Sequence, residues 1–149
     1  MRFAASGRMR KPTSREKVAL DHISLPVRKL AAARKFYQAA LGAIGMKINL
    51  DVGSAFGMGS EHEKIFWISQ KRGATGGAHH AFRVGSRADV DAFHAAALGA
   101  GGSDHGAPGP RPNYGPSYYA AFVKDPEGNN IEVVCYKKVG KTVKKRARA

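Results

Sequence analysis

Residues 22–45, HISLPVRKLAAARKFYQAALGAIG, return as residues 79–102, HHAFRVGSRADVDAFHAAALGAGG, at a constant offset of 57 and without a gap. His22 falls on His79, Val27 on Val84, Phe36 on Phe93, and Leu41-Gly42-Ala43 on Leu98-Gly99-Ala100. A chain of 149 residues is long enough for one compact core and too short for two ordinary domains. Two small copies of one motif must therefore share a core.

Each copy opens with an alternating run and continues with a helical one. HISLPV puts Ile23, Leu25 and Val27 on one face and His22, Ser24 and Pro26 on the other; HHAFRV separates His80, Phe82 and Val84 from His79, Ala81 and Arg83. That period of two is the mark of a half-buried strand. The Ala-rich segments Leu30 to Leu41 and Arg87 to Leu98 read as helices, with Gly42 and Gly99 as their stops. Short candidate strands follow: MKINL, AFGMG and KIFWIS in the first copy, a Gly-rich stretch, SYYAAFVK and IEVVCY in the second. The turn DPEGN joins the last two, Pro126 fixing φ and Gly128 supplying φ > 0. Each half thus reads as βαβββ, and the chain as an α+β fold of two paired modules. Their helix-free faces are expected to line a curved cup.

Boundaries follow from composition. Residues 1–17 carry six Arg or Lys against one acid and residues 137–149 carry seven against none, so +12 of the formal +14 sits at the ends. The body, 18–136, is nearly neutral and holds the modules, about 18–70 and 76–136. The ends read as flexible basic extensions, the only part of the chain suited to nucleic acid. No apolar run reaches the roughly 18 to 20 residues of a membrane span. One cysteine, Cys135, excludes an intrachain disulfide and points to a reducing, cytoplasmic setting. The Pro- and Gly-rich stretch 106–116 reads as the longest loop, a candidate lid.

Parity places His22, His79 and, from NIEVVCY, Glu132 on the cup side, with Ile131, Val133 and Cys135 facing the helices. The repeat is expected to carry the two histidines towards a common centre. Two imidazoles and a carboxylate with open positions form a set that holds a divalent first-row metal. His105, Tyr118 and Tyr119 are the candidate proton-transfer residues, although only one of the adjacent tyrosines can face the cup. Arg83 shares the parity of His79 and suits an anionic substrate, while Trp67 suits a planar one. His80 reads as structural, His94 as a surface residue of the second helix, and His62 as a turn residue without a role.

DHISLPV followed by FYQAALG, then HHAFRV, then YYAAFVKDPEGNNIEVVC, together resemble the vicinal oxygen chelate superfamily over residues 18 to 136. That superfamily includes lactoylglutathione lyases, extradiol dioxygenases and fosfomycin and bleomycin resistance proteins. The chain is most similar to its small glyoxalase-like bacterial members. The resemblance implies a cup around a divalent ion, Fe, Mn, Ni or Zn, with His22, His79 and Glu132 as ligands. It implies a small oxygen-bearing substrate, lyase, isomerase or ring-cleaving chemistry, and a homodimer. Members of the bleomycin-resistance type use the same cup without metal to bind a ligand, which is the alternative reading. Lactoylglutathione lyases carry a fourth ligand, a carboxylate, where this chain offers Trp67, or Phe66 with a shift of one. Neither side chain can bind metal or move a proton, so the resemblance does not extend to that particular activity.

Overall fold

A computed structural model describes residues 18–139; the basic ends, 1–17 and 140–149, lie outside the described residues. In chain order the elements are β1 (Ile23–Val27), α1 (Leu30–Ala40), a 3-10 turn (Gly42–Ile44), β2 (Lys47–Asp51), β3 (Ala55–Gly59), β4 (Phe66–Gln70), β5 (His79–Val84), α2 (Arg87–Gly99), β6 (Ser103–Pro110), β7 (Tyr119–Lys124) and β8 (Asn130–Cys135). They form two four-stranded sheets, ordered β1-β4-β3-β2 and β5-β8-β7-β6. In each sheet the first strand runs parallel to the last and the others pair antiparallel.

Alternation decides which side of each strand is buried. Leu25 and Val27 of β1, Phe66 and Ile68 of β4, Val123 of β7, and Ile131, Val133 and Cys135 of β8 face inward. They meet Ala33, Phe36, Tyr37 and Ala40 of α1 and Val90, Phe93 and Ala97 of α2 in one continuous cluster. An aromatic edge joins the halves: the Phe66 ring, 5.4 Å between centroids from Tyr37 of its own half, lies 5.3 Å from that of Phe82 in the other. Gly102 makes room for α1, since a Cβ there would stand 2.6 Å from both a Phe36 ring carbon and Val123 Cγ1.

Polar contacts lock the same junction. The hairpin between β7 and β8 reaches back to the first half, where the Tyr37 hydroxyl donates to Asp125 Oδ2 at 2.6 Å. Glu127 Oε1 accepts from the backbone N–H groups of Arg28 and Lys29 at 2.8 and 3.2 Å. No side chain of α1's own N-cap, Lys29, caps the helix, so a carboxylate from the other half sits at its positive end. In α2 the cap is local: Ser86 accepts from the N–H of Asp89.

Two expectations from the sequence are corrected. Gly42 does follow the C-cap of α1, Leu41, but it leads into a 3-10 turn that Gly45 (φ 88) closes, whereas Gly99 is still helical and the positive-φ stop after α2 is Gly101 (φ 100). The first part of the stretch 106–116 is strand rather than loop: β6 runs through Pro110. It is an edge strand with register shifts between Asp104 and Gly106 and between Gly106 and Gly109, where missing N–H donors cost little. No helix among the described residues is long and apolar enough to cross a membrane.

Candidate functional site

Register fixes the equivalence between the halves. Ser24 pairs with Trp67 across β1 and β4, and Ala81 pairs with Glu132 across β5 and β8. Ser24 and Ala81 are themselves related by the 57-residue repeat. Trp67 therefore stands where the second half has Glu132, and Phe66 is excluded because it is fully buried on the core side. One strand further on, Gly57 pairs with Trp67 and Phe122 pairs with Glu132. A Cβ on Gly57 would lie 2.9 Å from Trp67 Cε2, so the indole lies across the bare backbone of that glycine.

In the second half the polar face holds a connected set. Glu132 is a buried carboxylate, its side chain 3% exposed, and its Oε2 accepts from His79 Nε2 at 2.9 Å. Its Oε1 accepts a hydrogen bond from the Tyr118 hydroxyl. Burial, then the bond to the Glu132 carboxylate, pushes the Tyr118 phenol above its ordinary range, so it stays protonated and donates. Tyr118 is braced edge-on by Tyr114 and Tyr136 at 5.3 and 5.2 Å between ring centroids. Arg83 sits over Tyr136, 4.9 Å from its centroid.

Two cavities adjoin this set. One of about 400 Å³ is lined by His79, Tyr114, Tyr118, Phe122 and Glu132. The other, about 440 Å³, is lined by His79, Tyr114 and Phe122 again, now with His105, Arg111 and Asn130. His105 thus belongs to the same region as His79, on strand β6 rather than in a loop.

His22 is elsewhere. It lies 2.6 Å from Asp21 and lines a separate cavity of about 760 Å³ with Trp67, Glu63 and His62. Among the described residues no three His, Cys, Asp or Glu side chains come together as a cation site. The expected meeting of His22 with His79 and Glu132 does not occur within one chain. The physical reason is that both sheets turn their apolar faces to the same core, which leaves their polar faces in different cavities.

Other candidates are sorted by side. Tyr119 points away from Glu132: its hydroxyl donates to Asp91 at 2.8 Å and Arg87 covers its ring at 4.5 Å. Tyr118 is the one of the pair that reaches Glu132. His94 is no free surface residue, because its side chain is only 14% exposed and its Nε2 lies 2.8 Å from Asp104. His80 packs against Phe66, 5.4 Å between centroids, and burial lowers its pKa. Arg111, Tyr114 and Phe122 were not singled out by sequence reasoning. For Phe122, its place in a strand of known parity was the available signal.

The family model described as "Glyoxalase/Bleomycin resistance protein/Dioxygenase superfamily" matches residues 19–133. A glyoxalase/bleomycin resistance protein from Albidiferax ferrireducens T118 is similar at 30% identity and a TM-score of 0.67, over 77% of this chain and 96% of that one. A glyoxalase-related enzyme from Fulvimarina pelagi shares the fold at 18% identity and a TM-score of 0.62, over 80% and 88% of the two chains. Glyoxalase I from Zea mays matches at 25% identity and a TM-score of 0.61, over 78% of this chain and 46% of the maize chain. No curated protein sequence matches.

Proposed function

The chain belongs to the glyoxalase/bleomycin resistance protein/dioxygenase superfamily, and from that premise we propose that it is a divalent-metal-dependent enzyme whose site is completed by two copies of the chain. The observation that carries this reading is the pairing of His79 and Glu132. Two adjacent ligands of a first-row divalent ion, each about 2.1 Å from it at right angles, stand about 3 Å apart. His79 Nε2 and Glu132 Oε2 are 2.9 Å apart. The pair therefore fits two neighbouring ligand positions, and the third donor is His22 of a second copy, which its own chain leaves exposed.

When bound, Fe(II), Mn(II), Ni(II) or Zn(II) would act as a Lewis acid on neighbouring oxygens of a small substrate. The protein's own residues set up that chemistry. Tyr118 fixes one oxygen of Glu132 and keeps its proton, so a hydroxyl donor stands beside the carboxylate at neutral pH. Phe122 and Tyr114 give the cavity aromatic walls. Trp67 offers a flat apolar surface beside His22, Arg83 a cation further along β5, and His105 a second imidazole near His79. With Trp67 at the place equivalent to Glu132, a site built from both halves has one carboxylate. Lyase, isomerase or ring-opening oxygen chemistry on a chelating substrate fits that set better than a proton shuttle between two carboxylates.

The test is metal content by mass spectrometry for the wild type, His22→Ala, Glu132→Ala and a refolded mixture of the two variants. Each variant alone should be empty. In the mixture half of the dimers are mixed and each regains one intact site, so about a quarter of the sites refill. If the mixture stays empty while the wild type binds, the site is not shared. A wild type that takes up no metal supports the alternative, a metal-free binding protein, which is favoured by one observation: Glu132 already has both oxygens satisfied without a metal.

A further inference from the structure

We propose that Arg111 anchors an anionic group, a carboxylate or a phosphate, on the ligand that enters the His79 and Glu132 cavity. The inference rests on the reading that this cavity is the active site. Arg111 begins the turn after β6, its N–H bonded to the Tyr118 carbonyl at 2.8 Å. Its guanidinium folds back along the edge strand, where Nη2 donates to the Ala107 carbonyl at 2.7 Å and Nη1 to that of Pro110 at 3.3 Å. The group lies over Phe122, 5.5 Å from the ring centroid.

Glycines create the berth. A Cβ at Gly106 would come within 3.2 Å of Nη2 and one at Gly109 within 3.1 Å of Nη1. Carbonyls, an aromatic ring and two glycines thus hold a cation in one place, although no carboxylate among the described residues forms an ion pair with it. Arginine has five N–H donors, and two are used here. Three remain to receive an oxyanion.

The surroundings have matching chemistry. The cavity of about 440 Å³ that Arg111 lines also presents His79, His105 and Asn130, and no acidic side chain. It shares His79, Tyr114 and Phe122 with the cavity of Glu132. A single ligand can therefore place its anion on Arg111 and its chelating oxygens beside His79 and Glu132. A cation fixed in a half-enclosed groove and not neutralised locally is suited to charge-assisted, bidentate binding.

The experiment uses the full chain at constant ionic strength, because the basic ends attract anions non-specifically, and follows two NMR signals: the Arg111 side-chain N–H, and the side-chain amide of Asn130, which lines the same cavity and reports the affinity in the Arg111 variants as well. The probes are lactate, propane-1,2-diol and inorganic phosphate; the diol keeps lactate's neighbouring oxygens but lacks the charge. Lactate or phosphate should shift the Arg111 resonance saturably, and the diol should not. Arg111→Gln should weaken the better anion about tenfold or more, and Arg111→Lys less. Tighter lactate identifies a carboxylate, tighter phosphate a phosphate group. The proposal falls if Arg111→Gln binds as well as wild type or if the diol binds as tightly as lactate. Metal uptake measured on the same variants separates the two failures: uptake with Arg111-independent anion binding sinks only this inference, and Arg111-dependent binding without uptake sinks only the metal reading.

Discussion

Replacing Tyr37 with Phe tests the junction between the halves, because it deletes one hydroxyl and almost no volume. That hydroxyl donates to a buried carboxylate at 2.6 Å, and hydrogen bonds to charged groups contribute about 1.5 to 3 kcal/mol. Asp125 retains three other donors, the N–H groups of Glu127 and Asn129 and the Asn129 amide, so no oxygen is orphaned. The expected loss is the lower end, about 1.5 kcal/mol at pH 8. Burial first, and the Asp125 charge second, raise the Tyr37 phenol far above its ordinary value of 10.0. Above that pH the unfolded chain releases this proton while the folded one keeps it. Wild type therefore loses stability as pH rises, by about 1.4 kcal/mol per unit relative to the Phe variant. The two stability curves should meet near pH 11, where the ionisation term of about 1.4 kcal/mol cancels the hydrogen bond. Urea unfolding followed by circular dichroism, with unchanged m-values, measures both effects. Parallel curves from pH 8 to pH 11 would refute the claim that Tyr37 is held protonated in the core.

Three further substitutions probe separate contacts. Gly57→Ala places a methyl 2.9 Å from Trp67 Cε2, so the indole must move; emission from this sole tryptophan should shift, with about 1 to 3 kcal/mol lost in urea unfolding. Gly102→Ala sets its methyl 2.6 Å from both Phe36 and Val123, and should cost at least as much, read as a lower thermal midpoint. Glu127→Ala removes the acceptor for Arg28 and Lys29 and should lose about 1 to 3 kcal/mol, with amide exchange accelerating first at the start of α1.

The sequence carried the parts of the fold that are local or periodic. Alternation in HISLPV and HHAFRV placed Leu25 and Val27 inside and His22 and His79 outside, and the exposure of each strand agrees. Parity also set Glu132 opposite Ile131 and Val133, which is why its contact with His79 was legible. What escaped was non-local. The packing of Phe36 against Gly102 and of Tyr37 against Asp125 decides how the halves face each other, and neither contact has a periodic signature. So the repeat revealed two equivalent histidines but not that one chain keeps them in different cavities. Pro108 and Pro110 hid β6, since proline argues against a central strand but not against an edge. Arg111 was missed with it; two glycines spaced along a strand just before an arginine were the only signal.

The two halves differ in which of two adjacent strands carries the large ring and in whether a charge stands beside it. In the first half the large ring is Trp67 on β4, and its neighbour on β3 is Gly57. At the same place in the second half the large ring is Phe122 on β7, and its neighbour on β8 is Glu132. Each arrangement fills a similar space with one ring, but only the second leaves room for a carboxylate beside the first-strand histidine. One half therefore supplies an imidazole with an apolar platform, the other an imidazole with a charged, hydrogen-bonded acceptor. Among the described residues, neither half alone brings three His, Cys, Asp or Glu side chains together as a cation site. The proposed pairing of unlike halves from two copies answers this asymmetry, since it would join the donors that a single chain keeps apart.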